Sequence, residues 1–579
     1  MTGSPQPLFL PKLCSTAKAY SLRLFWGDLS GGVITGIVAL PLAIAFAIAS
    51  GVTPDQGLTT AIVAGFLISA LGGSRVQIGG PTGAFVVLVY RIVHQYGPNG
   101  LILCTLLAGL ILIAMGLARL GALIKLIPYP LTVGFTAGIA VVIAFSQVKD
   151  FLGLATGPLP ADFLEKAAVY ARTLGSVDPT TVALALLSLA ILLAWPRVNR
   201  RLPASLVAIV AVTALVETFH LPVETIGSRF GALPPALPHL VWPSVTYHEV
   251  RALIGPAFTV ALLCAIESLL SATVADGMIE GRHRSNTELI GQGVANIASA
   301  LFGGMPATGA IARTATNVRN GGRTPVAGIL HALTLLAIVL LLGHWAARIP
   351  LCALAAILLV VAYHMSEWHA FKALLRAPRM DVAVLLATFL LTVLVDLTIA
   401  VEVGLLLSVF LFMRRMMDVT TVRQVTTQLA AEEGDESALR GAADAVSRRE
   451  IPRGVEVYEA EGALFFGIAE LLRENLSFGK TPPKVVIFRM RHVLVLDASG
   501  IRALRDLRAR CVRMGTAFII EGIHAQPLVA LDRAGLLEEF GERYFAATLD
   551  VALAVARELA SGRDAAHSPL DQSPREEVR

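Results

Sequence analysis

Two short phrases carry most of the chemical information in this chain. Pro81-Thr82-Gly83-Ala84-Phe85 opens one apolar stretch, and Ala307-Thr308-Gly309-Ala310-Ile311 opens another, 308 − 82 = 226 residues later. The approaches also match: Ile68-Ser69-Ala70-Leu71-Gly72-Gly73 against Ala298-Ser299-Ala300-Leu301-Phe302-Gly303-Gly304. Pro81 has no backbone N–H and suits the first turn of a helix. Gly83 and Gly309 let a backbone or a ligand come close. A duplicated break inside a hydrophobic chain points to two inverted halves whose broken helices meet at mid-membrane. First-turn N–H groups around Gly83, Ala84, Gly309, Ala310 and Ile311 have no intrahelical partner, and the helix dipole adds positive potential there. With the Thr82 and Thr308 hydroxyls they form an expected site for a small anion. The plainer reading is tight helix packing through small residues.

Two charged groups narrow the chemistry. Arg313 lies in the second apolar stretch, and a cation inside a membrane domain is costly and normally partnered. It either contributes to holding the anion or pairs with Glu267 to brace helices. Glu267 is a lone carboxylate within Ala261-Leu262-Leu263-Cys264-Ala265-Ile266-Glu267-Ser268-Leu269-Leu270. An ionised Glu267 repels a bound anion and a protonated one does not, so proton and anion binding become linked. That is proton-coupled symport. The hydroxyls of Ser268, Ser271 and Thr273 leave sodium open as the coupling ion. Asp28, Asp276, Asp381, Asp396 and Glu402 fall near segment ends and read as interfacial, capping or gating groups. His331 reads as a satisfied buried histidine. No catalytic triad, metal set or phosphate loop appears, so no enzyme, metal or organic cofactor is expected. Cys14, Cys104, Cys264, Cys352 and Cys511 are scattered without a CxxC, which gives neither a disulfide framework nor a zinc site.

The elements that position these groups are membrane helices. Of 579 residues, 55% are hydrophobic and 15% charged, with mean hydropathy +0.70; a soluble protein carries about 25% charged residues. Stretches such as Val33–Ala49, Leu101–Leu117, Val182–Trp195, Val326–Leu342 and Val382–Leu394 approach the ~20 residues that cross a bilayer. About fourteen segments are expected, in a 7+7 inverted repeat. Alternate loops are rich in Arg and Lys (Arg75; Arg119 and Lys125; Arg197, Arg200 and Arg201; Arg282 and Arg284; Arg319 and Arg323; Lys372, Arg376 and Arg379; Arg414 and Arg415). This places both ends of the membrane domain in the cytoplasm. Residues 1–24 form a cytoplasmic segment without a signal peptide, and 25–417 the transport domain. The net charge of +5 is spread over loops, so nucleic acid is not a partner.

Past Arg415 the character changes. Residues 418–453 read as a polar linker and 454–560 as a soluble α/β domain; the tail 561–579 reads as disordered. In the domain, Val455–Glu459 and Ala463–Phe466 predict a hairpin turning at Glu461-Gly462. Ile468–Glu474, Ser499–Met514, Leu528–Leu537 and Leu549–Leu559 predict helices. Val485–Arg489 and Ala517–Glu521 predict buried strands. Asp497-Ala498-Ser499-Gly500 reads as a helix N-cap rather than a phosphorylation site.

Taken in order, these phrases resemble the sulfate permease (SulP) anion transporters. Leu40-Pro41 through Ala45-Phe46-Ala47 is similar to their first-helix signature, and Gly73-Ser74-Arg75 with Gly80-Pro81 to the entry of their third helix. Gly291-Gln292-Gly293 with Asn296, then Gly303 to Arg313, then Gly321-Gly322-Arg323-Thr324, resemble helices nine to eleven. Asp396 to Arg415 resembles the fourteenth. The soluble part resembles a STAS domain, with Leu496-Asp497-Ala498-Ser499-Gly500 as its turn motif. The resemblance implies alternating access, Phe46 on the site wall, Arg313 near the anion, and Glu267 in proton or sodium coupling. It further implies a multi-pass protein of the bacterial inner membrane, a homodimer joined partly through STAS, and a cytosolic STAS partner. Leu42 stands where many relatives have Gln, so no single relative's substrate carries over. Sulfate, bicarbonate, dicarboxylate and chloride stay open, as do exchange and channel modes.

Overall fold

The computed structural model describes residues 9–17, 20–124, 128–157, 159–160, 162–199, 202–231, 238–395, 397–425, 451–465, 472 and 482–561. Asp396, Lys125, Arg200 and Arg201, all but one residue of the expected helix Ile468–Glu474, most of the 418–453 stretch and nearly all of the 561–579 tail lie outside them. The chain divides into two compact units, 1–408 and 409–579, each described by itself.

In the first unit the labelled elements are α1 (Leu22–Ala49), α2 (Pro54–Leu71), β1 (Gly79–Gly80), α3 (Val86–Leu117, preceded by a 3₁₀ turn at Gly83–Phe85), α4 (Tyr129–Ser146), α5 (Pro179–Val198) and α6 (Ala204–Phe219). Then come α7 (Tyr247–Ile279), α8 (Ser285–Leu301), β2 (Thr308–Gly309), α9 (Ile311–Arg319), α10 (Pro325–Ala346), α11 (Leu351–Met365), α12 (Arg379–Leu394) and α13 (Leu397–Val419), which runs past the division. Several starts follow one local rule: a side-chain acceptor, then proline at the first helical position. Asp178-Pro179 and Thr324-Pro325 each open a helix this way, and Thr53-Pro54 opens one with proline in the same place. At this last start, Gln56 reaches back to the Thr53 N–H at 3.2 Å and completes a capping box.

Among the described residues, seven helices are individually long and apolar enough to cross a membrane. One of them, Gly83–Leu117, holds two helical runs, because Gly97 adopts φ 69° ahead of Pro98 and turns the chain. Others, such as α9 with nine residues, are short because the chain breaks beside them.

Helices pack through small residues, as expected where lipid removes most of the hydrophobic drive between them. α8 lies along the second half of α3, α10 along α1 and α2, and α12 along α4. At the α3–α8 crossing Gly109 and Gly293 meet backbone to backbone. A Cβ on Gly109 would sit 2.7 Å from the Gly293 carbonyl, and one on Gly293 would sit 2.6 Å from the Gly109 carbonyl.

In the second unit, β3 (Thr421–Gln424), β4 (Val455–Leu464), β5 (Val485–Leu496), β6 (Ala517–Glu521) and β7 (Phe545–Ala546) form one sheet in that order. β3 is antiparallel to β4 and the other pairs are parallel. Two expectations are corrected here. β4 is one continuous strand, not a hairpin: Gly462 keeps pairing with Val493 through a bulge, and the antiparallel partner is β3. The sheet therefore begins at Thr421, inside the stretch read as linker. Helices α14 (Ala498–Arg513), α15 (Ala525–Arg533) and α16 (Leu536–Phe540) cover one face over Tyr458, Phe488 and Phe518. Helix α17 (Leu549–Ala560) covers the other over Val457, Ile487 and Ile519. Asp497 caps α14 by accepting from the Gly500 N–H at 2.8 Å, while Ser499 is exposed.

Candidate functional site

The two repeated phrases meet. Gly79 pairs with Gly309 and Gly80 with Thr308, antiparallel, in a two-stranded crossing buried inside the helices. Each break is held by the other half of the chain. On α2, Gln56 donates to the Gly303 carbonyl at 3.0 Å and Thr60 Oγ1 accepts from the Met305 N–H at 2.8 Å. On α8, the buried Glu288 carboxylate accepts from the Gly73 and Ser74 N–H groups at 2.7 and 3.1 Å. Gln56 and Glu288 are 288 − 56 = 232 residues apart, close to the spacing of the threonines. This exchange is the duplicated plan expressed as hydrogen bonds.

Helix α7 runs past the crossing and supplies the carboxylate. Thr82 Oγ1 donates to Glu267 Oε2 at 3.0 Å, and Glu267 is only partly buried. One residue further on, a chain of donors locks the second break to the same helix. The Gly309 N–H donates to Ser268 Oγ at 3.2 Å, Ser268 Oγ pairs with Thr308 Oγ1 at 2.7 Å, and Thr308 donates to the Cys264 carbonyl at 3.0 Å. The Ala310 N–H donates to the Ile78 carbonyl at 2.9 Å. The expected symmetry of the two breaks is corrected by these bonds. Thr308 is fully buried and its proton is committed, and the Gly309 and Ala310 N–H groups are used in the fold. First-turn N–H groups remain at Gly83 and Ala84, and at Ile311 and its successors. Ile311 is 37% exposed, so the start of α9 opens outward from the crossing.

Arg313 is 3% exposed. One arm donates to the Pro81 carbonyl; the other, Nη1, has no hydrogen-bond partner. Its charge and that of Glu267 act on each other across the site, while their direct hydrogen bonds go to Pro81 and Thr82 respectively. Gly80 is required beneath it. Its φ is 145°, outside the range side chains favour, and a Cβ there would lie 2.7 Å from Arg313 Nη1.

Gly83 faces the opposite wall, where a Cβ would meet Met365 of α11 and Ile143 of α4. Ala84 and Phe46 are buried in the same apolar cluster, which also holds Phe85 and Ile143. Thr273 is turned away: it is exposed and donates to the Leu269 carbonyl of its own helix. Of the interfacial, capping and gating roles read for it, Asp28 takes the capping one. Fully buried, it accepts from the Arg323 and Thr324 N–H groups at 2.8 and 3.0 Å and so fixes the start of α10. Asp276 accepts from the His283 N–H at 2.7 Å, a capping role, and Glu402 is exposed. His331 is fully buried, with the Thr35 backbone against its ring.

Sequence reasoning missed three contributors. Asn296 brackets the second break, donating to the Ala307 carbonyl and accepting from its N–H, both at 2.9 Å. Cys264 lends its carbonyl. Gln77 is 4% exposed, has no partner on either amide atom and packs over Gly309. Asn296 had a signal, an amide set among the small residues of Gly291–Ala300.

Comparison with known proteins follows this geometry. The sulfate permease family model matches residues 25–388, and the STAS domain model residues 447–552. The chain is 40% identical to a putative sulfate transporter, YvdB, of Bacillus subtilis, over 91% of this chain and 97% of that one. It is 31% identical to the bicarbonate transporter BicA of Picosynechococcus, over 78% and 81%. The solved transmembrane domain of a cyanobacterial BicA superposes with TM-score 0.61 at 32% identity, covering 66% of this chain and 98% of that one. The murine Slc26a9 anion transporter, solved in an inward-facing state, shares the fold with TM-score 0.83 at 18% identity, covering 96% of each. The chain belongs to the sulfate permease family of multi-pass membrane anion transporters and ends in a STAS domain.

Proposed function

We propose that this protein is a secondary active symporter of a small oxyanion, sulfate or bicarbonate, driven by protons through Glu267. The observation that carries the reading is the Thr82–Glu267 hydrogen bond. It ties the mouth of one broken helix to the carboxylate whose charge decides whether an anion can stay. The anion rests at the first turns beginning at Gly83 and Ile311, with Thr82 beside it and Arg313 Nη1 supplying positive charge behind the crossing. Protonation of Glu267 removes a like charge and frees the Thr82 hydroxyl toward the anion, so both ligands bind together. The unit carrying the crossing then moves against the wall that presents Ile143 and Met365 to Gly83. Both chain ends face the cytoplasm of the bacterial inner membrane in this reading, and two copies associate partly through STAS.

Uptake of labelled sulfate and bicarbonate into proteoliposomes, with an inward proton gradient, an inward sodium gradient or neither, tests the proposal. Proton-driven accumulation is expected. Glu267→Gln is expected to keep anion binding in a thermal-shift titration and to lose the gradient response. Loss of binding together with the gradient response makes Glu267 structural. Accumulation driven by sodium alone assigns the coupling ion to the hydroxyls around Ser268.

A further inference from the structure

A cleft of about 870 Å³ opens between α2, α6 and α10, and none of Thr82, Thr308, Glu267 or Arg313 lines it. Its volume lies within the ~300–1,000 Å³ of small-molecule sites. The walls change character with depth, all in the same direction. α2 runs from Thr53 and Asp55 inward to Ile62. α6 runs from Glu217 back to Leu206. The α10 wall runs from Arg348, just past its end, back to Ile338. The polar ends of the α6 and α10 walls lie together, because Arg348 Nη1 is 3.4 Å from Glu217 Oε2, and Asp55 lines the same cleft. The Arg348 guanidinium also stands 4.7 Å over the Trp345 ring, which is half exposed. Trp and Arg side by side at a helix end mark the depth of lipid headgroups. About one turn below Glu217 on α6, Thr213 Oγ1 is buried without a partner.

We propose that this cleft binds one phospholipid with a zwitterionic phosphoethanolamine head. The phosphate meets Arg348, the ammonium meets the carboxylates of Asp55 and Glu217, and Thr213 donates to a glycerol ester carbonyl. The acyl chains lie along Ile62, Leu206 and Ile338. The rim selects the head. Its two carboxylates against one guanidinium repel a purely anionic lipid, and a primary ammonium has three N–H donors for them whereas a quaternary one has none. Binding of this lipid does not depend on the coupling role given to Glu267.

Two measurements on the full chain test it. In nanodiscs of phosphatidylglycerol, trace brominated-chain phosphatidylethanolamine is titrated while tryptophan fluorescence is read, with Trp345→Phe identifying the Trp345 signal. Quenching of Trp345 at an at least tenfold lower mole fraction than brominated phosphatidylglycerol requires is expected. Separately, lipid retained after detergent washing is quantified for the native protein, for Thr213→Trp, which fills the cleft, and for Arg348→Gln. About one phosphatidylethanolamine per chain in the native protein, lost in both variants, is expected. Equal quenching by the two lipids, or retention unchanged in variants that still elute as folded protein, overturns the proposal. If Thr213→Trp does not fold, the quenching comparison decides alone.

Discussion

Thr82 Oγ1 and Glu267 Oε2 lie 3.0 Å apart, joining the first broken helix to the carboxylate of α7. A hydrogen bond to a charged group contributes about 1.5–3 kcal/mol. Thr82→Val keeps the shape and removes the donor. Anion affinity is expected to fall roughly 10- to 100-fold, read by thermal shift against sulfate and bicarbonate. In a Glu267→Gln background, where the hydroxyl is already turned toward the anion, the same substitution should cost at least as much anion affinity. A loss that vanishes in that background would mean that Thr82 acts only through Glu267 and not on the anion.

Arg313 is expected to be irreplaceable by lysine in full. Its planar fork reaches the Pro81 carbonyl with one arm and leaves Nη1 open; a lysine ammonium is a point charge that cannot do both at fixed geometry. Arg313→Lys should retain measurable anion binding weakened about tenfold, the loss of one charge-assisted contact. Arg313→Gln should abolish it. Equal binding by the two variants would separate the cation from the anion.

Much of this arrangement was legible beforehand, for a physical reason. Thr, Gly and Pro at a helix break obey local rules, so the two phrases announced both breaks, and Asp497 announced a helix start in the same way. What stayed hidden was decided by contacts distant in sequence. Nothing near Thr308 says that its hydroxyl is taken by Cys264 and Ser268, and nothing near Thr82 names Glu267, 267 − 82 = 185 residues away. Glu461-Gly462 looked like a hairpin turn because Gly after a charged residue normally marks one. β4 tolerates it as a bulge, with Gly462 at φ 97°.

Asn296 should prove a positioning residue. Its side chain satisfies both the N–H and the carbonyl of Ala307, inside a buried site. Asn296→Ala leaves the buried Ala307 N–H unpaired, at about 1–3 kcal/mol, and its carbonyl with only the Cys264 thiol at 3.1 Å. A melting temperature lowered by several degrees and weakened anion binding are expected together, since the start of the second break is what Asn296 fixes. An unchanged melt would show that water or a rotated neighbour replaces the amide.

In the STAS domain, Arg489 is 4% exposed and lies 2.8 Å from Glu521, itself 1% exposed, and 3.3 Å from Glu459. The three face one another in a single row across β4, β5 and β6. Arg489→Met leaves a buried carboxylate without its main partner, a loss of about 3–5 kcal/mol. Hydrogen exchange of β5 and β6 amides in the full chain should accelerate accordingly. Adding Glu521→Met should restore much of the protection, because the apolar pair removes the stranded charge. Failure of the second change to restore it would locate the damage in packing.

Cys511 gives a pH dependence with a definite sign. It is fully buried on α14 among apolar side chains, and burial pushes its thiol from 9.0 up to about 12. Between those values the unfolded domain releases this proton and the folded one keeps it, so the unfolded state binds fewer protons. Stability from this group is fully present below pH 9 and falls as pH rises, by about 1.4 kcal/mol per unit. The same burial keeps the thiolate, and hence reactivity, away at neutral pH. Maleimide added to the native protein at pH 7.5 should label the exposed Cys14 and spare Cys511 until the domain is denatured. Cys511→Ala should flatten the alkaline limb of STAS unfolding. Rapid native labelling of Cys511 would show instead that α14 opens on the timescale of the reaction.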